Sequence, residues 1–144
     1  MSYWDTSSLV KLSIAEADSL QFQRLAGSAA RVVTANIARL EARTVFRRRE
    51  AEGALPAGEA AVLSADMDRD VAHGRVVIQA ADLDVERQFT KVLEKCFSQT
   101  PPLFIRTNDA LHIASAIVAG EAEFVTSDLR QRTAVQLMGL TVHP

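Results

Sequence analysis

Residues 124–129 read Phe124-Val125-Thr126-Ser127-Asp128-Leu129, a short apolar run closed by two hydroxyl residues and an acid. Such a run suits a buried strand, and Leu129 opens a short helical pattern, so Asp128 stands where strand becomes helix. The same arrangement opens the chain in Trp4-Asp5-Thr6-Ser7-Ser8, where Asp5 closes a strand over Tyr3 to Asp5. Taken alone, each acid reads first as a helix N-cap, because its oxygens accept hydrogen bonds from the free N–H groups of a first turn. Two parallel strands in the middle of a sheet, however, bring both acids out on one edge.

Working outward, further strands are expected over Arg31 to Thr34, Arg75 to Gln79, Glu123 to Thr126 and Leu140 to Val142. Helical patterns lie between them: Ser7 to Ala26 with a break near Ala15, Asn36 to Glu52, Ala57 to His73, Leu83 to Phe97, Asn108 to Ala119, and a short one from Leu129. Gly53, Pro56, Gly74, Pro101, Pro102, Gly120 and Gly139 punctuate the boundaries. The continuous apolar character of the strands suits a sheet covered on both faces. The pattern predicts an α/β fold, a three-layer α/β/α sandwich around a central, mostly parallel sheet of four to five strands, in one domain over residues 1–144. In such folds ligands collect at the carboxyl ends of the strands.

Two more acids stand out. Asp109 begins a helix in Thr107-Asn108-Asp109-Ala110-Leu111-His112, where the helix dipole favours a carboxylate. Yet it lies in one stripe with His112, Ile113, Ala116 and Ile117, in line with core positions; His112 itself reads as a packed structural histidine. Glu41 is inside a helix and has no capping role; it shares a face with Ile37, Leu40, Thr44 and Val45. A buried acid needs a partner, either an arginine such as Arg106 or a metal ion. Were the four acids to converge with neighbours about 5 Å apart, each ionised pair would repel by roughly 3 kcal/mol at an effective dielectric near 20. Protonation or a divalent cation relieves such a load, and an all-oxygen carboxylate site selects Mg²⁺ or Mn²⁺ over zinc or copper.

Composition bounds the alternatives. Apolar residues make up 48% and charged residues 24% of the 144 positions, the balance of an ordinary globular protein. No run is long enough to span a membrane, and Met1-Ser2-Tyr3-Trp4-Asp5 lacks the features of a secretion signal, so the cytoplasm is the expected location. The single cysteine, Cys96, excludes an internal disulfide and a thiolate zinc site. A net charge of −2 argues against gripping nucleic acid by bulk charge, but Arg39, Arg43, Arg47, Arg48 and Arg49 cluster, and Arg130 and Arg132 flank Gln131 close to Asp128. Leu9, Val10, Leu12, Ile14, Leu20, Phe22 and Leu25 are more apolar side chains than one helix face easily hides; they pack internally, join two copies or line a groove for a partner helix.

With these residues in view, the chain resembles the PIN-domain nucleases, and within them the VapC-type toxins of toxin–antitoxin pairs. Tyr3-Trp4-Asp5-Thr6-Ser7-Ser8-Leu9-Val10-Lys11-Leu12 resembles the first acidic motif of that family. Glu41 with Arg43 to Arg49 resembles the second, Thr107-Asn108-Asp109-Ala110-Leu111-His112-Ile113-Ala114 the third, and Phe124-Val125-Thr126-Ser127-Asp128 the fourth; Gly139-Leu140-Thr141-Val142 is similar to the last strand. One departure is that Gln131 and Arg132 stand where some relatives carry a further acid.

The resemblance implies a PIN-like sandwich and hydrolysis of RNA phosphodiester bonds, with Asp5, Glu41, Asp109 and Asp128 holding one or two Mg²⁺ (or Mn²⁺) ions. Thr6, Ser7 and Thr126 are expected to orient carboxylates or bind phosphate, and Arg43, Arg47 and Arg130 to contact the RNA backbone. RNA as substrate, a VapB-type antitoxin as partner, a homodimer and no membrane association follow as expectations. A PIN nuclease of RNA processing or quality control, and a catalytically silent PIN binding module, are the alternatives. A phospho-acceptor signalling domain would want paired acids at the first strand and a lysine near the last, and has neither here.

Overall fold

In the computed structural model, which describes residues 2–29 and 31–144, the first strand of the chain lies at the centre of the sheet. Strands β1 (Ser2–Trp4), β2 (Val32–Ala35), β3 (Val76–Gln79), β4 (Glu123–Val125) and β5 (Thr141–His143) are ordered β3-β2-β1-β4-β5. All four pairings are parallel, with Tyr3 opposite Val33 on one side and Phe124 on the other. The expected "mostly parallel" sheet is therefore wholly parallel and five-stranded.

The side chains of a strand alternate between faces, and here they feed two separate cores. Tyr3, Val33, Ala35 and Phe124 pack against Val85, Val92, Ile113 and Val135. These come from helices α5 (Leu83–Phe97), α6 (Thr107–Val118) and α7 (Leu129–Leu137). Trp4, Val32, Val76 and Val125 pack on the other face against Leu9, Phe22, Phe46 and Met67. Those belong to α1 (Thr6–Ser13), α2 (Ser19–Ser28), α3 (Asn36–Ala51) and α4 (Glu59–Ala72). Complete burial of a side chain such as Phe124 contributes about 1.5–3 kcal/mol relative to leaving it in water.

The chain builds outward from β1 to β3 beneath α1 to α4, then crosses back to β4 and builds the other way beneath α5 to α7. Right-handed parallel crossovers laid in opposite directions put their helices on opposite faces, which produces the three layers. The reversal falls between β1 and β4, and the crevice at their carboxyl ends is where such sheets hold ligands.

Several boundaries shift by a residue for a physical reason. Asp5 and Thr126 were expected as the last residues of their strands, yet each stands just beyond. Their N–H groups still bond to the neighbouring strand, to the carbonyls of Val125 and His143 (both 3.2 Å), while their side chains begin the next structure. On α3 the buried stripe is Ala38, Ala42 and Phe46, whereas Leu40 is 51% exposed. Of the expected face, Ile37 and Val45 pack partly buried against the two cores, Leu40 turns to solvent, and Glu41 lies at the edge. In the first helical region Leu9, Val10 and Phe22 are buried, and Leu12, Ile14 and Leu25 pack against the same core; Leu20 alone stays exposed. That apolar surplus is mostly internal. Among the described residues, no helix is long and apolar enough to cross a membrane.

Candidate active site

Asp5 leaves β1 and caps α1, with Oδ1 accepting from the Ser8 N–H at 2.9 Å. The hydroxyl groups of Ser7 and Ser8 add bonds of 2.8–2.9 Å, and Thr126 Oγ1 donates to Oδ2 at 2.6 Å. A carboxylate only 4% exposed is thereby satisfied entirely by neutral donors. The capping role and the strand-edge role coincide in one side chain.

Asp128 repeats the device on the adjacent strand. Its Oδ1 caps α7 through the Arg130 N–H at 2.9 Å, and its own N–H donates to Thr126 Oγ1 at 3.0 Å. Burial works against its ionised form, but the Arg130 N–H and the nearby guanidinium groups prevail and hold its carboxyl below the usual range. Asp109 lies in the first turn of α6.

Arg106, in the extended residue before that helix, joins the two. Its Nε donates to Asp109 Oδ2 at 2.8 Å, and its Nη2 donates to Asp109 Oδ1 at 3.4 Å and to Asp128 Oδ2 at 3.0 Å. The arginine thus serves Asp109 and Asp128; the sequence had left it as a partner for Glu41.

Glu41 reaches the same place from α3 and takes its partners elsewhere. Asn108 Nδ2 donates to Oε1 at 2.6 Å, while Thr6 Oγ1 and His112 Nε2 (3.2 Å) donate to Oε2. The His112 bond above all, then those of Thr6 and Asn108, outweigh burial and lower the Glu41 pKa to about 2. An ionised Glu41 can only accept, so Nε2 of His112 carries the proton between them, and the Tyr3 hydroxyl lies 2.8 Å from Nδ1. Burial raises the phenol of Tyr3 far above its ordinary range, so it remains a donor. A buried tyrosine on the central strand is thereby linked through His112 to an acid at the cleft. His112 is packed as expected, and it also holds Glu41.

The four acids line one cleft of about 370 Å³ together with Thr6, Ser7, Thr44, Val45, Arg48, Arg106 and His112. Four carboxylates face two guanidinium groups there, so the cleft keeps a negative surplus. Not every expected residue joins it. Arg43 turns away and, with Arg39, bonds Asp68 on α4 at 2.5–2.7 Å. Arg47 reaches Glu50 at 3.4 Å on the open side of α3, and Arg130 stays at the rim, 78% exposed and 3.5 Å from Asp128. Thr126 is fully buried behind Asp5.

Asn108 was not singled out for the site, and Arg48 was read only as one of the clustered arginines of this helix. Glu41, Thr44, Val45 and Arg48 follow the i, i+3, i+4, i+7 spacing of one helix stripe. That spacing was the signal for Arg48. Among the described residues it has no acidic partner, unlike Arg39, Arg43, Arg47 and Arg49.

The donor set is all oxygen and matches a hard divalent cation. Among the described residues, no three acidic or histidine side chains form a ready cage for an ion. Hydroxyls meet Asp5, a hydroxyl, His112 and Asn108 meet Glu41, and the Arg106 guanidinium meets Asp109 and Asp128. The positive charge between those last two carboxylates occupies a cation's position, and in that sense the residues fit the ion.

Comparison with known proteins agrees with this geometry. Residues 2–136 match the PIN domain. The chain belongs to the PIN domain family. Among solved structures it is similar to VapC20 of Mycobacterium tuberculosis, described as a sarcin–ricin loop cleaving toxin. That likeness has 22% identity and a TM-score of 0.70 over 93% of this chain and 95% of that one. VapBC2 of Rickettsia felis, bound to a DNA fragment from its promoter, is similar with 13% identity and a TM-score of 0.67 over 99% and 98%. FitAcB of Neisseria gonorrhoeae is similar with 14% identity and a TM-score of 0.66 over 100% and 97%. No curated protein sequence matches the chain significantly.

Proposed function

We propose that this chain is a Mg²⁺- or Mn²⁺-dependent endoribonuclease, a single PIN domain acting as the toxin of a toxin–antitoxin pair and restrained by a VapB-type antitoxin. The observation that carries the reading is the meeting of Asp5, Glu41, Asp109 and Asp128 in one cleft at the carboxyl ends of β1 and β4. Those four side chains hold the ions. A divalent ion, when bound, acidifies water and offsets negative charge building on a phosphate.

Thr6 orients Glu41, Ser7 and Thr126 orient Asp5, and Arg48 offers a guanidinium to an RNA phosphate from the α3 side. Arg130 stands where it can meet the backbone at the rim. The toxin reading draws on the likeness to VapC20, a cleaving toxin, and to the VapBC2 and FitAcB assemblies. Cytoplasmic location and a homodimer complete the proposal.

RNA cleavage by the purified protein tests the nuclease reading. Chelation should abolish cleavage and Mg²⁺ or Mn²⁺ should restore it, and Asp5→Asn and Asp109→Asn should each be inactive. Full cleavage after exhaustive chelation would refute metal dependence, and full activity in both variants would remove those acids from the site. Expression of the wild-type chain should arrest growth, with rescue by the antitoxin encoded beside it. Harmless expression of active protein would refute the toxin role alone.

A further inference from the structure

Among the described residues, Arg106 is the one cation shared by two of the four acids, and its place is unusual for an ion pair. One nitrogen, Nη2, reaches both Asp109 Oδ1 and Asp128 Oδ2, while Nε holds the other oxygen of Asp109. Each carboxylate therefore lies within 3.4 Å of a single point, and that point is taken by a charged group of the protein itself. Their side chains are only 17% and 23% exposed, whereas that of Arg106 is 63% exposed. The acids are half-buried at the cleft, whereas the guanidinium lies open to solvent.

Other cationic groups near the site do not share this position. Lys11 is nearly buried between Glu16 and Asp18, and Arg49 is bound to Glu16. Arg48 lines the cleft without an acidic partner, and Arg130 touches only Asp128 among the acids. Mg²⁺ commonly keeps several waters and needs just one or two carboxylates from the protein. Asp109 and Asp128 are sufficient for that, but their oxygens cannot accept Arg106 and bind the ion together. Ion pairs made by so exposed an arginine are weak, which makes exchange easy.

We propose that Arg106 is an internal counter-ion that competes with the divalent cation for Asp109 and Asp128, neutralising the pair in the ion-free protein and swinging outward when the ion binds. The proposal rests on the reading of the cleft as a divalent-cation site. It gives the ion-free protein a relieved acid pair and sets a threshold of cation concentration for activity. The displaced guanidinium stays tethered at the N-terminus of α6, beside the cleft that Arg48 flanks.

Mn²⁺ titration by calorimetry, without RNA and at low ionic strength, tests this on wild-type, Arg106→Gln and Arg106→Lys proteins. The glutamine variant should bind Mn²⁺ roughly three- to ten-fold more tightly, the factor expected from losing weak competing ion pairs. The lysine variant should fall between. Equal or weaker binding by a folded Arg106→Gln protein would overturn the proposal.

The wild-type protein provides a second readout that needs no variant. The Arg106 side-chain Nε–H resonance should lose its Asp109-bonded position and exchange faster with water as Mg²⁺ is added. An unmoved resonance at Mg²⁺ saturation would likewise overturn it. Failure of the wild-type protein to bind Mn²⁺ at all would defeat both the proposal and the metal-dependent reading. Tighter binding and Arg106 release in a protein that cuts no RNA would leave the proposal standing and defeat the nuclease reading.

Discussion

Thr126 Oγ1 donates to Asp5 at 2.6 Å while accepting the Asp128 N–H at 3.0 Å, so one buried hydroxyl fixes acids at the ends of two neighbouring strands. Thr126→Val keeps the shape and removes all of this, leaving buried polar groups short of partners at about 1–3 kcal/mol. Thermal unfolding should record that loss, and RNA cleavage should fall with it. Thr126→Ser keeps the hydroxyl and should retain most of both. A valine variant as stable and active as wild type would show that Asp5 is held by its serines alone.

Glu41 gives the protein an acid-sensitive component of stability. Its carboxyl, bonded by His112, Thr6 and Asn108, titrates at about 2 in the folded chain, below its value of about 4.3 in an unfolded one. The contribution is complete above about pH 4.5 and is lost as pH falls toward about 2. Glu41→Gln lacks the titration, so its stability deficit relative to wild type should shrink across that window. Denaturant unfolding at a series of pH values would show it, and a constant deficit would place the dependence elsewhere.

Tyr3 should matter to the same acid from beneath. Tyr3→Phe leaves the ring stacked on Phe124 but removes the bond to His112 Nδ1. The expected cost is about 1 kcal/mol, the worth of one buried hydrogen bond. The imidazole, no longer held in one tautomer, should also show altered ¹⁵N shifts. Unchanged His112 shifts would mean that Glu41 alone sets its tautomer.

Arg48 and Arg43 should separate cleanly. Arg48→Ala should weaken RNA binding and lower the slope of log K against log salt by about one, the loss of one phosphate contact. Arg43→Ala removes a partly exposed pair with Asp68 and should cost no more than about 1 kcal/mol in stability, with RNA binding unaltered. Equal effects on binding would return Arg43 to the RNA-facing surface.

The parts of this site that were readable in advance are those set locally. Asp5 and Asp128 sit where an apolar run meets hydroxyl residues and a new helix, and strand parallelism brings them to one edge. The reach of Arg43 depends on how α3 crosses α4, because Asp68 has no local relation to it. Arg106 has Asp109 three residues away, a visible pairing, but Asp128 arrives only through the sheet. His112 carried two meanings in one position: packing is legible from helix spacing, whereas its bond to Glu41 needs α3 and α6 to meet.

The central place of β1 has a consequence for the chain as it is being made. Its β4 neighbour and Thr126, the hydroxyl that clasps Asp5, lie beyond residue 122, and Asp128 follows them. A ribosome therefore releases Asp5 long before Asp128. Whatever chemistry the cleft performs, a nascent chain stopped short of β4 has neither the clasp on Asp5 nor the second strand-end acid. A product aborted before β4 therefore carries an incomplete cleft, with Asp5 and Glu41 present and Asp128 missing.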